Sequence, residues 1–280
     1  MNEFKRGINE EKFINALNEL YKDESSFWHM MINDKELFIA IRKEYLNVYY
    51  KGQSICRLYY KKIIRGATHK KYLGINEPGY FYSENGKFLD EKSKIKSLAE
   101  IIQLKVNINK YVGKEKDKSY TEIINNEKCI LDVEIAFVRP KVVKPLKKSE
   151  YEISSIDYVA LEYDSNDEPI LVFYEAKHFT NSEIRSRTEP KVLGQIKRYK
   201  QALKDHNDEI IRSYKLVTKN LFDLHILNKR NYKGTDIHME YLRIDPEPRL
   251  IIFGNNQNSV NDKHLEKLHV FFGTKLILRD

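Results

Sequence analysis

Two stretches rich in β-branched and aromatic residues, EISSIDYVALEY (152–163) and PILVFYEAKHF (169–179), flank the turn sequence DSNDEP. No other part of the chain constrains the fold as tightly, because Asp, Asn and Pro between apolar runs specify a reversal of direction. A simple hairpin about Asn166 pairs residues whose numbers sum to 332, which sets Asp157 opposite Glu175. Facing β-carbons in an antiparallel pair lie about 4.5–5.5 Å apart, so two carboxylates are directed at one another. Lys177 projects from the same face as Glu175, while Ala176 and His178 turn to the other.

Two like charges at that separation repel by roughly 1–4 kcal/mol between the dielectrics of water and of a protein surface. A purely structural hairpin gains nothing from this. A hard divalent cation such as Mg²⁺ or Mn²⁺ reverses the sign, because carboxylate oxygens are its preferred ligands. It also favours deprotonation of a bound water and neutralises charge on a phosphoryl group, and a neighbouring lysine can orient that water or stabilise the phosphorus centre. The tripeptide alone carries little weight, since Glu-x-Lys recurs at Glu3, Glu10 and Glu189. Its setting distinguishes Glu175-Ala176-Lys177: it ends an apolar strand, ILVFY, with an aspartate placed opposite. The structural alternative is an edge hairpin with a wet charged face.

The 280 residues are 41% hydrophobic and hold no apolar run near the ~20 residues a membrane span requires. The N-terminus, MNEFKRGINEEKF, has no apolar secretory stretch, so a cytoplasmic location is expected. Cys56 and Cys129, 73 positions apart, make neither a disulfide framework nor a thiolate metal site. A net charge of +8 favours anionic partners, nucleic acid ahead of membrane. Residues 139–150 and 185–200 are basic, and 151–168 between them hold six carboxylates without a Lys or Arg. Lys144, Arg185, Arg187, Lys191, Lys197 and Arg198 are the candidate phosphate contacts.

Helical spacing predicts an amphipathic helix over 10–22. Residues 36–61 read as an antiparallel meander, with Lys51-Gly52-Gln53 as a hairpin turn. The looser stretch GINEPGYFYSENGK (74–87) is the expected boundary between residues 1–90, a helix and β meander, and residues 91–280. A helix over 91–111 is expected to bury Ile95, Leu98, Ile102 and Val106, with Glu100, Gln103 and Asn107 in a polar line. A strand at 129–138 and the hairpin follow, then helices near 188–205 and 208–222. A buried strand RLIIFG, a helix near 261–272 and a short strand complete the chain. The class is mixed α/β (α+β).

Asp157 on one strand and Glu175-x-Lys177 on the next, followed by a helix carrying Gln195 and Tyr199 at i and i+4, resemble the PD-(D/E)XK nuclease superfamily, with the QxxxY element of its RecB-like branch. Ile156 stands where the family's name has proline. The resemblance covers about residues 91–280. It implies a restriction-endonuclease-like core, a central mixed sheet flanked by helices. Asp157, Glu175 and the carbonyl of Ala176 would hold Mg²⁺ or Mn²⁺, Lys177 would be the catalytic lysine, and Gln195 and Tyr199 would orient the site or contact DNA. The family often adds an acid from the first core helix, for which Glu100 is the candidate. Asp132 and Glu134 supply a further ligand if their strand neighbours the hairpin, and otherwise serve as edge charges that discourage aggregation.

The implied activity is hydrolysis of DNA phosphodiesters, in restriction, phage defence or DNA repair. The alternative is a catalytically inactive nucleic-acid-binding or regulatory module on the same fold. In either case the N-terminal meander, with Arg57, Tyr59, Tyr60, Lys61 and Lys62, is expected to recognise substrate, a partner protein or a second copy in a homodimer. No phosphate-binding P-loop or GxSxG nucleophile elbow occurs.

Overall fold

A computed structural model describes residues 3–89, 95–113, 120–121, 128–137, 155–186, 189–232, 239–254 and 263–279. The fold is mixed α/β, with two six-stranded sheets. Contacts divide the chain into two compact units: residues 1–5, 128–215 and 235–280 form one, and residues 6–127 with 216–234 the other.

In the second unit, α1 (Glu11–Tyr21) buries Phe13 and Leu17, and α2 (Phe27–Asn33) starts where Ser26 Oγ accepts the His29 N–H at 3.1 Å. A meander follows in chain order: β1 (Leu37–Ile41), β2 (Tyr45–Tyr50), β3 (Gln53–Lys61), β4 (Ile63–His69), β5 (Tyr80–Glu84) and β6 (Lys87–Phe88). Lys51 and Gly52 join β2 to β3 with φ of 48° and 71°, and Asn85 and Gly86 join β5 to β6 with 45° and 84°. Positive φ at both central positions is what a tight hairpin demands, because it matches the strands' right-handed twist. At Gly86 a β-carbon would also stand 2.4 Å from Phe27 Cδ1.

The stretch 74–87 is therefore not a linker: β5 pairs antiparallel with β4 from Arg65↔Glu84 to His69↔Tyr80. Nor does the contact division fall at 90/91, since residues up to 127 group with the meander. The expected single helix over 91–111 is two, α3 (Leu98–Leu104) and α4 (Val106–Asn109). The break is Lys105, held at φ 38° with its ammonium 2.6 Å from Asp34 and 2.7 Å from Glu36.

In the first unit, β7 (Cys129–Ile135), β8 (Ile156–Tyr163) and β9 (Pro169–His178) are consecutive and antiparallel. Helices α5 (Lys191–Asp205) and α6 (Asn207–Asp223) follow; α6 runs on past residue 215, where the second unit takes over the chain. Strands β10 (Arg243–Ile244) and β11 (Arg249–Phe253) pair parallel to β9, α7 (Lys263–Phe272) comes next, and β12 (Leu276–Leu278) pairs parallel to β11. The order is β12-β11-β9-β8-β7. A central strand flanked on both sides reads as a continuous apolar run. β9 does so, with Leu171, Val172, Phe173 and Tyr174 all fully buried. Both cysteines are buried free thiols, and burial pushes Cys56 up to about 12. Among the described residues no helix is long and apolar enough to cross a membrane.

Candidate active site

The β8–β9 loop is organised by Asp164, whose Oδ1 accepts the N–H groups of Asn166 at 2.8 Å and Glu168 at 2.9 Å. This pivot fixes the register: Tyr158↔Tyr174, Val159↔Phe173 and Ala160↔Val172 all follow the numbering expected from the turn. One step beyond Tyr158↔Tyr174 the ladder opens. There the N–H of Ala176 donates to Asp157 Oδ2, at 2.7 Å, instead of to a strand carbonyl.

Glu175 is 1% exposed, on the sheet face that also carries Lys177. Its Oε1 lies 2.8 Å from Lys177 Nζ, while Oε2 is buried with no hydrogen-bond partner. Burial first, and the charge of Asp157 second, push Glu175 up to about 8; Lys177 and the Tyr199 hydroxyl favour the ionised form but do not offset them. For Lys177, burial alone would favour loss of its proton. Its ion pairs with Glu175 and, at 2.7 Å, with Glu183 outweigh that and hold it above the usual lysine value.

Gln195 and Tyr199 lie one turn apart on α5 and both are buried. Gln195 Nε2 donates to the Tyr199 hydroxyl at 2.8 Å, and that hydroxyl donates to the Ser155 carbonyl at 3.0 Å. Ser155 immediately precedes β8, so the helix grips the start of the strand that bears Asp157 while its tyrosine acts on Glu175. Asp157, Glu175, Lys177, Gln195 and Tyr199 are thus brought together.

The other expected residues divide. β7 neighbours the hairpin strand β8, and Val133↔Tyr158 and Ile135↔Ile156 place Glu134 at the level of Asp157. Glu134 has φ 51°, and its Oε2 accepts from Ser155 Oγ at 3.1 Å. Asp132 is fully buried, bonded by Tyr214 Oη at 3.1 Å and by the Val133 N–H at 2.8 Å, so it is not the exposed edge charge that the alternative supposed. Glu100 belongs to the second unit. Its backbone N–H donates to Ser97 Oγ and its carboxylate accepts the Lys96 N–H, at 3.2 and 3.1 Å, which caps its own helix. Among the described residues, no group of three or more His, Cys, Asp and Glu side chains could hold a metal ion.

Lys191, Lys197 and Arg198 are exposed on α5, with Lys197 3.6 Å from Glu189, and Arg185 lies over the Phe179 ring at 4.9 Å. Arg187, Lys144 and the basic run 139–150 lie outside the described residues. Sequence reasoning missed Glu183, Ser155 and Tyr214. Of these only Glu183 had a local signal: its N–H donates to Asn181 Oδ1 at 2.8 Å, in the Asx turn that an Asn-Ser pair after a strand favours.

No protein-family model, curated protein or solved structure matches this chain.

Proposed function

We propose that the chain is a divalent-metal-dependent nuclease of the PD-(D/E)XK type, with a restriction-endonuclease-like core, that hydrolyses DNA phosphodiester bonds in restriction, phage defence or repair. One observation carries this reading: in the register set by the hairpin, Asp157 and the buried Glu175 stand on paired strands, and Lys177 is bonded to Glu175. The donor set suits a hard cation, because Glu175 Oε2 is an orphaned buried carboxylate oxygen and Asp157 is near enough to raise its neighbour's proton affinity. Magnesium is commonly held by one or two carboxylates and retained waters, so two acids and the Ala176 carbonyl suffice. When bound, such an ion lowers the pKa of a water and stabilises charge on the phosphoryl oxygens.

The chain's own groups do the rest. Lys177 stays protonated beside Glu175 and Glu183, so it serves as a donor to the reacting phosphate and not as a base at neutral pH. Tyr199 and Gln195 fix the start of β8 and, through it, the position of Asp157. The exposed cations of α5 supply backbone contacts to the polyanion.

The inactive-module reading has one observation in its favour: Lys177 is already held by Glu175 and Glu183 without any added ion. Incubation with plasmid, linear and single-stranded DNA, with and without Mg²⁺, separates the two. The nuclease cleaves only with the ion and the Lys177→Ala chain does not; no cleavage of any substrate, or full activity in that variant, favours the module.

A further inference from the structure

In the sheet of the second unit β1 and β2 are buried on both faces, whereas β3, β4 and β5 have one face packed and one open. Leu46, Cys56, Leu58, Ile64 and Phe81 point to the buried side, where Tyr60 also stacks on Phe13 with centroids 6.0 Å apart. Alternation sends their neighbours outward, and the pairings align these in two rows, one across four strands and one across three. One row runs Tyr45↔Tyr59↔Arg65↔Glu84, and the next runs Arg57↔Ala67↔Tyr82. The small Ala67 floors a groove of about 420 Å³, walled by Glu44, Tyr45, Arg57 and Tyr59 on one side and Tyr80 and Tyr82 on the other. Tyr80 and Tyr82 are 44% and 52% exposed, the reverse of what a folded chain does with tyrosine in its core.

Charge says what would cover such a face. By sequence, the second unit holds 26 Lys and Arg against 18 Asp and Glu, whereas the first holds 23 of each, so the chain's whole +8 resides with this sheet. On the face itself Arg57 lies over the Tyr45 ring at 6.0 Å and Lys61 over Tyr59 at 5.9 Å, and neither enters an ion pair among the described residues. Of the acids present, Glu84 is paired with Arg65 at 2.7 Å, and Glu44 accepts hydrogen bonds from the neutral amide groups of Asn9.

We propose that this open face, independently of any cleavage by the first unit, is a binding platform for single-stranded nucleic acid. A base lies over Ala67 between the tyrosine walls, and Arg57 and Lys61 meet the phosphates. Open tyrosine rings accept any base, and a duplex offers them none because its bases are already stacked. Double-stranded DNA should therefore be the poorer ligand here.

The test is fluorescence anisotropy of labelled dT15, rU15 and a 15-base-pair duplex with the intact chain in EDTA, which keeps binding separate from catalysis. Single strands of one or both sugars should bind at least tenfold more tightly than the duplex. Tyr59→Ala and Tyr82→Ala should each weaken that binding by about 5- to 100-fold. Ala67→Leu, which fills the groove and removes no contact, should weaken it as well, and Arg57→Ala should make the logarithmic salt dependence shallower by about 0.7. Thermal unfolding of each variant verifies that the sheet is intact. Single-strand binding that is absent, or that survives all three groove variants, overturns the proposal. So does a dimer in sedimentation that Tyr82→Ala dissociates, since a second copy would then be the occupant.

Discussion

Replacing Glu175 with glutamine probes the electrostatics of the site without altering its shape. In the ion-free chain burial and the charge of Asp157 push Glu175 from the ordinary glutamate value of 4.5 up to about 8. Between those two values the folded chain keeps a proton that the unfolded chain has released. Stability therefore falls as pH rises, by about 1.4 kcal/mol per unit. The full benefit is present below pH 4.5 and is lost by the time pH passes 8, a span worth roughly 5 kcal/mol for so buried a group. Glutamine cannot ionise, and its carbonyl can still accept from Lys177, which also keeps Glu183. Glu175→Gln should therefore match the parent near pH 5 and exceed it increasingly up to pH 8, by on the order of 10 °C in Tm at 2–4 °C per kcal/mol. Differential scanning calorimetry in EDTA across pH 5–9 measures the difference, in which all other titrations cancel. A difference that stays flat with pH, or a parent that gains on the variant as pH rises, would refute the reasoning.

Tyr199→Phe removes the donor to the Ser155 carbonyl and the acceptor of Gln195, and should cost about 2–4 kcal/mol in urea unfolding. Unchanged stability would contradict these contacts. Gly86→Ala combines a φ of 84° with a β-carbon 2.4 Å from Phe27, and should cost about 2–4 kcal/mol by the same assay, whereas a loss under 1 kcal/mol would show that the turn relaxes freely.

The hairpin was legible because a turn with Asp164, Asn166 and Pro169 leaves little freedom of register, and register alone set Asp157 against Glu175. Gln195 and Tyr199 were legible for the same kind of reason, a fixed helical period bringing i and i+4 together. Glu183 and Ser155 were not, because their partners are chosen by how loop 179–186 and the start of β8 meet the rest of the unit, which no local period encodes. Lys105 shows the limit on the other side: Ile95, Leu98 and Ile102 are buried as expected, yet two acids some seventy positions earlier draw that lysine into a left-handed turn and split the helix. The stretch 74–87 misled by its glycines and proline. Asn85-Gly86 within it was a strong hairpin signal, and its glycine serves a turn inside the sheet.

Calorimetric titration of Mn²⁺ into the metal-free chain at pH 7, in two buffers of different ionisation enthalpy, tests the carboxylate pair most directly. An ion taken up by Glu175 must displace the proton that its neighbour and its burial keep there. Uptake of one ion with release of close to one proton, both lost in Asp157→Asn, is the expected result. No uptake, or the same uptake and proton release in Asp157→Asn, would show that the pair is not a cation site.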